Sequence, residues 1–220
     1  MTASLTVAAL YVARGGCYYG LPDVDPWDEV RDARLYAGPW PVVAHPPCAR
    51  WGAFWFGAPG GKTRFKAGDD SGCFAAAIAA VRQWGGVLEH PAHSKAWAAF
   101  GLACPLPGGL WSAADMWGGW TCKVEQGHYG HALRKPTWLY LHGAQALPDL
   151  CWGKSAFSAD LLVRHERTRD SGNLRASPYR LLSHRQRAAT PLPFRDLLLS
   201  IARQCRGQAC PSSPPPEEGK

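Results

Sequence analysis

Apolar and polar positions fall into short blocks along the chain. Leu5–Val12 is an apolar run with Val and Tyr, ended by Gly15-Gly16, and predicts a buried strand. Pro41–His45 is a second such run, stopped by Pro46-Pro47. Gly72–Trp84 is rich in alanine, with Ile78 and Val81 on one face, and predicts a helix that Gly85-Gly86 ends. Gly86–Glu89 starts a further short strand. Trp120–Glu125 and Thr137–His142 predict two more strands around a loop at Gln126–Pro136. Pro193–Arg203 carries Phe194, Leu197, Leu198 and Ile201 at helical spacing and predicts a closing amphipathic helix. Strands alternating with helices predict α/β layering with a mainly parallel sheet. Ligands of such sheets sit at the carboxyl ends of strands, where His45–Cys48 and Glu89–His93 fall.

Composition narrows the class. The chain has 220 residues, 46% of them hydrophobic and 19% charged, enough to bury the core of one domain. No apolar run approaches the ~18 residues of a membrane span. Leu5–Ala13 is apolar but follows no basic residue, so a buried strand is expected there rather than a signal peptide. Eight cysteines are far fewer than the ~8–10% of a disulfide scaffold. They form no CxxC pair, which argues against a zinc ribbon or a thioredoxin motif. Reduced thiols and a cytoplasmic location are expected.

Charge is concentrated late in the chain. Between Arg164 and Arg206 stand ten arginines, Arg185 and Arg187 among them, against three acids, and the difference equals the net charge of +7. The guanidinium fork pairs bidentately with phosphate, so this stretch, 164–206, is either a nucleic-acid contact or a solvated helix face or loop. The segment 207–220 contains PSSPPPEEGK and is expected to be disordered. One domain is expected over 1–206.

Three segments carry candidate chemistry. In His45-Pro46-Pro47-Cys48-Ala49-Arg50 two prolines stiffen a turn that holds a cysteine, with Arg50 placed to favour its thiolate. A cysteine so held is either a nucleophile or a small packed residue. In Val87-Leu88-Glu89-His90-Pro91-Ala92-His93 a carboxylate closes an apolar strand, suited to a general acid or a clamp on a ligand. The loop from Gln126 to Pro136, with His128, Tyr129, Gly130, His131, Arg134 and Lys135, suits stacking on a base and holding phosphate. Eleven tryptophans, with Trp51 and Trp55 near Lys62, Arg64 and Lys66, offer either a stacking surface or core filling. Glu89, His90, His93, Cys48, His45, His128 and His131 are also metal-ligand types, without a diagnostic spacing.

The order of these segments resembles that of the cytosine carbon-5 DNA methyltransferases, above all the short methylase-like proteins encoded by bacteriophages and prophages. Pro47-Cys48 matches the loop whose cysteine attacks carbon 6 of a flipped cytosine. Glu89-His90-Pro91 matches the Glu-Asn-Pro motif whose acid holds N3, with His90 in place of Asn. Leu10-Tyr11-Val12-Ala13-Arg14-Gly15-Gly16 resembles the motif that binds S-adenosylmethionine, and Asp32 the acid that faces its adenine. Tyr129-Gly130 and Thr137–Gly143 resemble the eighth-motif loop and strand. The likeness covers residues 5 to 143.

The resemblance implies a three-layer, Rossmann-like class I methyltransferase sheet without a large target-recognition domain. It implies Cys48 and Glu89 as catalytic residues. S-adenosylmethionine would lie against Tyr11, Gly15, Gly16, Asp32 and Pro47. DNA would meet Arg50, His90, Arg134, Lys135, Arg185 and Arg187. Ala13 stands in place of the first glycine of the cofactor loop, and only residues 17–31 separate Gly16 from Asp32. Two other readings stay open: a non-catalytic DNA-binding protein of the same fold, and a metal-dependent nucleic-acid enzyme.

Overall fold

The computed structural model describes residues 5–53, 55–57, 65–156, 161–162, 180–181 and 184–207. The basic positions Arg164, Arg167, Arg169 and Arg175 lie outside them, as do the side chain of Arg185, Lys62, Arg64 and the segment 208–220. At the centre is a seven-stranded sheet. Its strands in chain order are β1 (Val7–Leu10), β2 (Val24–Trp27), β3 (Val42–Ala44), β4 (Gly86–Pro91), β5 (Ser112–Ala113), β6 (Trp120–Glu125) and β7 (Pro136–His142). Their order across the sheet is β2-β1-β3-β4-β7-β6-β5.

The parallel part runs from β2 to β4. Val7, Ala8, Ala9 and Leu10 are fully buried, as expected for a strand covered on both faces. β2 contains Pro26, which an edge strand tolerates because its outward side needs no amide donor. Gly86 has φ 130°, and a Cβ there would collide with the Val42 carbonyl, so the close β3–β4 approach requires glycine.

Beyond β4 the sheet departs from the expected parallel arrangement: β7 pairs antiparallel with β4, β6 with β7, and β5 with β6. The cause is chain length. The segment 126–135 is too short to cross over the sheet, so β6 and β7 must form a hairpin.

Side-chain alternation supplies a core on each face. On one face Ala8, Leu10, Val42, Ala44, Leu88 and Tyr140 meet α1 (Cys73–Trp84), which turns Phe74, Ala77, Ile78 and Val81 inward at helical spacing. On the other, Val7, Ala9, Val43, Val87, Leu139 and Leu141 meet the closing helix Leu192–Arg203. That helix buries Phe194, Leu198, Leu199 and Ile201; burial of Phe194 alone is worth about 3 kcal/mol or more. Short helices α2 (Lys95–Ala99) and α3 (His184–Ala188) precede it, so it is α4. A two-residue parallel pair, β8 (Leu161–Leu162) and β9 (Arg180–Leu181), stands apart.

Arg195 donates to the Cys17 carbonyl at 2.8 Å, and Arg203 pairs with Asp23 at 2.7 Å, tying α4 to the β1–β2 connection. Arg206 donates to the carbonyls of Arg203 and Cys205. These three arginines of the basic stretch therefore hold the fold together. The result is a compact mixed α/β fold with α1 and the short α2 on one face of the sheet and α4 on the other. Among the described residues, no helix is long and apolar enough to cross a membrane.

Candidate active site

The site follows from strand order. β1 lies between β2 and β3, so the chain leaves β1 to one side and returns on the other. The loops after β1 and β3 therefore leave neighbouring carboxyl ends at the sheet's switch point, the place where ligands of such sheets bind. On the β1 side, Tyr11 turns the chain with φ 60°, and Gly16 N–H donates to the Ala13 carbonyl at 2.8 Å. Gly15 has φ 63° with open space beside it, a conformation suited to glycine. On the β3 side, His45 N–H donates to the Leu10 carbonyl at 3.0 Å. Pro46-Pro47 then carry the chain to Cys48, whose carbonyl accepts from the amides of Trp51 and Gly52.

Cys48 and Glu89 come to one place because β3 and β4 are parallel neighbours, with Ala44 paired to Leu88. Glu89 is the next residue along β4, and Cys48 closes the turn after β3. Lys135, with φ 42° just before β7, reaches the same spot, and its ammonium lies in electrostatic range of both Glu89 and Cys48. It also donates to the carbonyls of Ala188 at 3.3 Å and Ala189 at 3.1 Å, behind α3.

Glu89 is gripped from two sides. His45 Nδ1 lies 2.9 Å from Oε2, and Gln126 Nε2 donates to Oε1 at 3.1 Å. Tyr18 Oη lies 2.8 Å from His45 Nε2. Gln126 Nε2 also donates to Thr137 Oγ1 at 2.9 Å. Burial alone would raise the Glu89 carboxyl. The His45 hydrogen bond, then the Lys135 charge, outweigh it and hold the group below the usual carboxylate range. Glu89 is therefore held as an anion in the free protein. The thiol of Cys48 is exposed at its tip, yet burial of its surroundings, then the Glu89 charge, push it up. Burial lowers the Lys135 ammonium, opposed by Glu89 and Cys48.

Several expected contacts fall elsewhere. His90 is only 1% exposed, set between the rings of Phe74 and Trp97 on the α1 face, so it does not meet a ligand beside Glu89. Consecutive strand residues point to opposite faces, and that rule separates the two. Burial lowers its imidazole to about 4. Arg50 lies over the Phe65 ring at 3.3 Å and donates to the Trp55 carbonyl, so it does not favour a Cys48 thiolate. Tyr129 packs on Phe194 and accepts from the Cys151 amide. Arg134 sits 4.0 Å from Glu125, and the Arg187 carbonyl accepts from His131.

The residues at this switch point fit S-adenosylmethionine in part. Among the described residues the buried Tyr11 hydroxyl has no partner, and the space beside Gly15 is open. Asp32, however, is closed into a pair with Arg34 at 2.7 Å. Asp28, at the carboxyl end of β2, accepts from Tyr19 at 2.6 Å and from the amides of Val30 and Arg31. A cleft of about 440 Å³ opens farther along the same edge beside His93, Lys123, Trp138 and Lys154; neither Cys48 nor Glu89 lines it. Among the described residues, no three His, Cys, Asp or Glu side chains converge as metal ligands.

Tyr18, Gln126 and the carboxylate-bound role of His45 are absent from the sequence reading. Their partners lie 27, 37 and 44 residues away, beyond the reach of local spacing. Comparison with protein-family descriptions, with curated proteins and with solved structures found no match.

Proposed function

We propose that this chain is a cysteine-dependent enzyme that modifies a pyrimidine in DNA, of the cytosine-5 methyltransferase kind. One observation carries the reading: a cysteine, a carboxylate and an ammonium converge at the carboxyl ends of adjacent parallel strands, beside the switch point of the sheet. The sheet order and the helices on both faces support a Rossmann-like methyltransferase fold. In the proposed reaction the Cys48 sulfur bonds to carbon 6 of an extruded base. The carbon 5–carbon 6 electron pair shifts to carbon 5, which becomes nucleophilic. The thiol proton must leave first, and Lys135 is the cation placed to stabilise the thiolate. Glu89 fixes the ring edge as an acceptor. S-adenosylmethionine, held against Tyr11, Gly15, Gly16 and Pro47, would supply the electrophilic methyl group; loss of the carbon 5 proton to solvent and departure of the Cys48 sulfur would then restore the ring.

The test is Cys48→Ser, assayed by mass spectrometry of nucleosides from treated DNA. Wild type should give 5-methylated pyrimidine and Cys48→Ser none, with folding unchanged. Modification that persists in Cys48→Ser overturns the reading.

A second reading, a DNA-binding protein of the same fold without cofactor chemistry, is favoured by the internal use of Asp28 and Asp32. Calorimetric titration with S-adenosylmethionine separates the two: saturable binding supports the enzyme, and none at millimolar ligand supports the binder.

A further inference from the structure

The direction of the hydrogen bonds around Glu89 determines which pyrimidine edge it can meet; this inference rests on the proposed role of Cys48. The chain of bonds starts at Tyr18, which is 3% exposed. Among the described residues its hydroxyl has one partner, His45 Nε2, so the hydroxyl proton points there and Nε2 is the bare nitrogen. The His45 proton therefore sits on Nδ1 and is given to Glu89 Oε2. On the other side the Thr137 hydroxyl donates to the Lys135 carbonyl at 3.1 Å, so it accepts from Gln126. That sets the Gln126 amide with its nitrogen towards Glu89 Oε1. Both carboxylate oxygens receive N–H protons. Protonating Oε2 would reverse His45 and leave the Tyr18 proton without an acceptor.

We propose that the site selects a 4-oxo pyrimidine, a uracil-type ring with hydrogen on N3, over cytosine. The ring N3–H donates to the Glu89 carboxylate, and a flanking carbonyl accepts from the Lys135 ammonium. Cytosine turns a bare N3 lone pair towards the same carboxylate. Addition of the Cys48 thiolate to carbon 6 of a uracil ring moves the carbon 5–carbon 6 pair towards carbon 5 and O4. The resulting enolate charge falls within reach of Lys135. Carbon 5 then takes a proton from solvent; loss of the original carbon 5 proton and departure of the sulfur restore the ring. The cycle exchanges the hydrogen on carbon 5 and needs no cofactor.

The experiment is deuterium exchange at carbon 5 in heavy water, read by mass spectrometry. The probes are two pools of single-stranded oligonucleotides with randomised flanks, one carrying deoxyuridine and the other deoxycytidine. Exchange into deoxyuridine should exceed that into deoxycytidine by roughly 100-fold or more, since a hydrogen-bonding site strongly rejects a mismatched edge. Glu89→Gln, which adds a donor, should collapse that ratio. Tyr18→Phe, which frees His45 to take its other tautomer, should lower it as well. Equal or faster exchange into deoxycytidine overturns the selection while leaving Cys48 as the nucleophile. A ratio unchanged in both variants overturns the assignment to Glu89. No exchange from either pool, matching Cys48→Ser, overturns the nucleophile itself and this inference with it.

Discussion

The two ends of the sheet each hold a carboxylate in a web of hydrogen bonds, and the webs differ in their partners. At the amino end of β4, Asp115 accepts from Arg82 at 2.8 Å, from the Tyr140 hydroxyl at 2.8 Å and from the amides of Trp117 and Gly119. At the carboxyl end, Glu89 accepts from a histidine and an amide side chain. In both, burial alone would raise the carboxyl, and the donors outweigh it. Asp115 is bound by groups that keep their protons at any physiological pH, so its cluster is fixed. Glu89 is bound by a group able to change its protonation, with a thiol and an ammonium near but not bonded to it. The same carboxylate chemistry serves as a fastener at one end and, in the proposed function, as a ligand-facing edge at the other. Under the proposed reading, Cys48 supplies the nucleophile there, and Lys135, already donating to the Ala188 and Ala189 carbonyls, supplies a charge beside it.

The sharpest way to break that contrast is Cys48→Ser. Base modification should fall at least about 1,000-fold, because a hydroxyl is a far weaker nucleophile at neutral pH. Denaturant unfolding should move by less than about 0.5 kcal/mol, as for a surface change that touches no network. A large loss of stability would make Cys48 a packing residue.

Asp115→Ala should do the reverse. It strands Arg82 and the Tyr140 hydroxyl and should cost about 3 kcal/mol, while the folded fraction keeps its activity. A shift under about 1 kcal/mol by thermal unfolding would show that the amino-end cluster is not a fastener.

His90 adds a pH signature. Its folded value, about 4, lies below the ordinary 6.5, so the unfolded chain binds the proton first as pH falls. Stability should be full above about 6.5 and decline by on the order of 3 kcal/mol towards pH 4. Glu89, lowered from the carboxylate range, should add its own loss only below that range. His90→Phe should flatten the 6.5 to 4 segment; an unchanged slope would refute the assignment.

The smallest effect concerns arginines. Arg187→Glu should weaken binding to every DNA sequence and reduce the salt slope by about 1. Arg203→Glu should instead lower stability by about 1 kcal/mol through loss of the Asp23 pair. The comparison is made by salt-dependent DNA titration beside thermal unfolding of both variants.

Much of the sheet was legible because its strands are short apolar or alternating runs. Val42–Ala44 and Trp120–Glu125 lie within or coincide with the expected bounds. β2 was not, because Asp25 and Pro26 disguise an edge strand that buries little. The antiparallel turn at β7 depended on partners, which a single strand does not declare. Of the site, the order of Cys48, Glu89 and Lys135 was readable as a line of motifs. The grip of His45 and Gln126 on Glu89 was not, since it is formed by chain segments that meet only after the sheet assembles.

The tie between α4 and the β1–β2 connection bears on how the chain is made. Arg195 and Arg203 reach back 178 and 180 residues to Cys17 and Asp23. One apolar face of β1 therefore waits uncovered while the ribosome adds the intervening chain, roughly 10–40 s at 5–20 residues per second. A nascent chain halted before residue 192 presents Val7, Ala9, Val43 and Val87 bare on one side, a surface that chaperones and other exposed strands will bind.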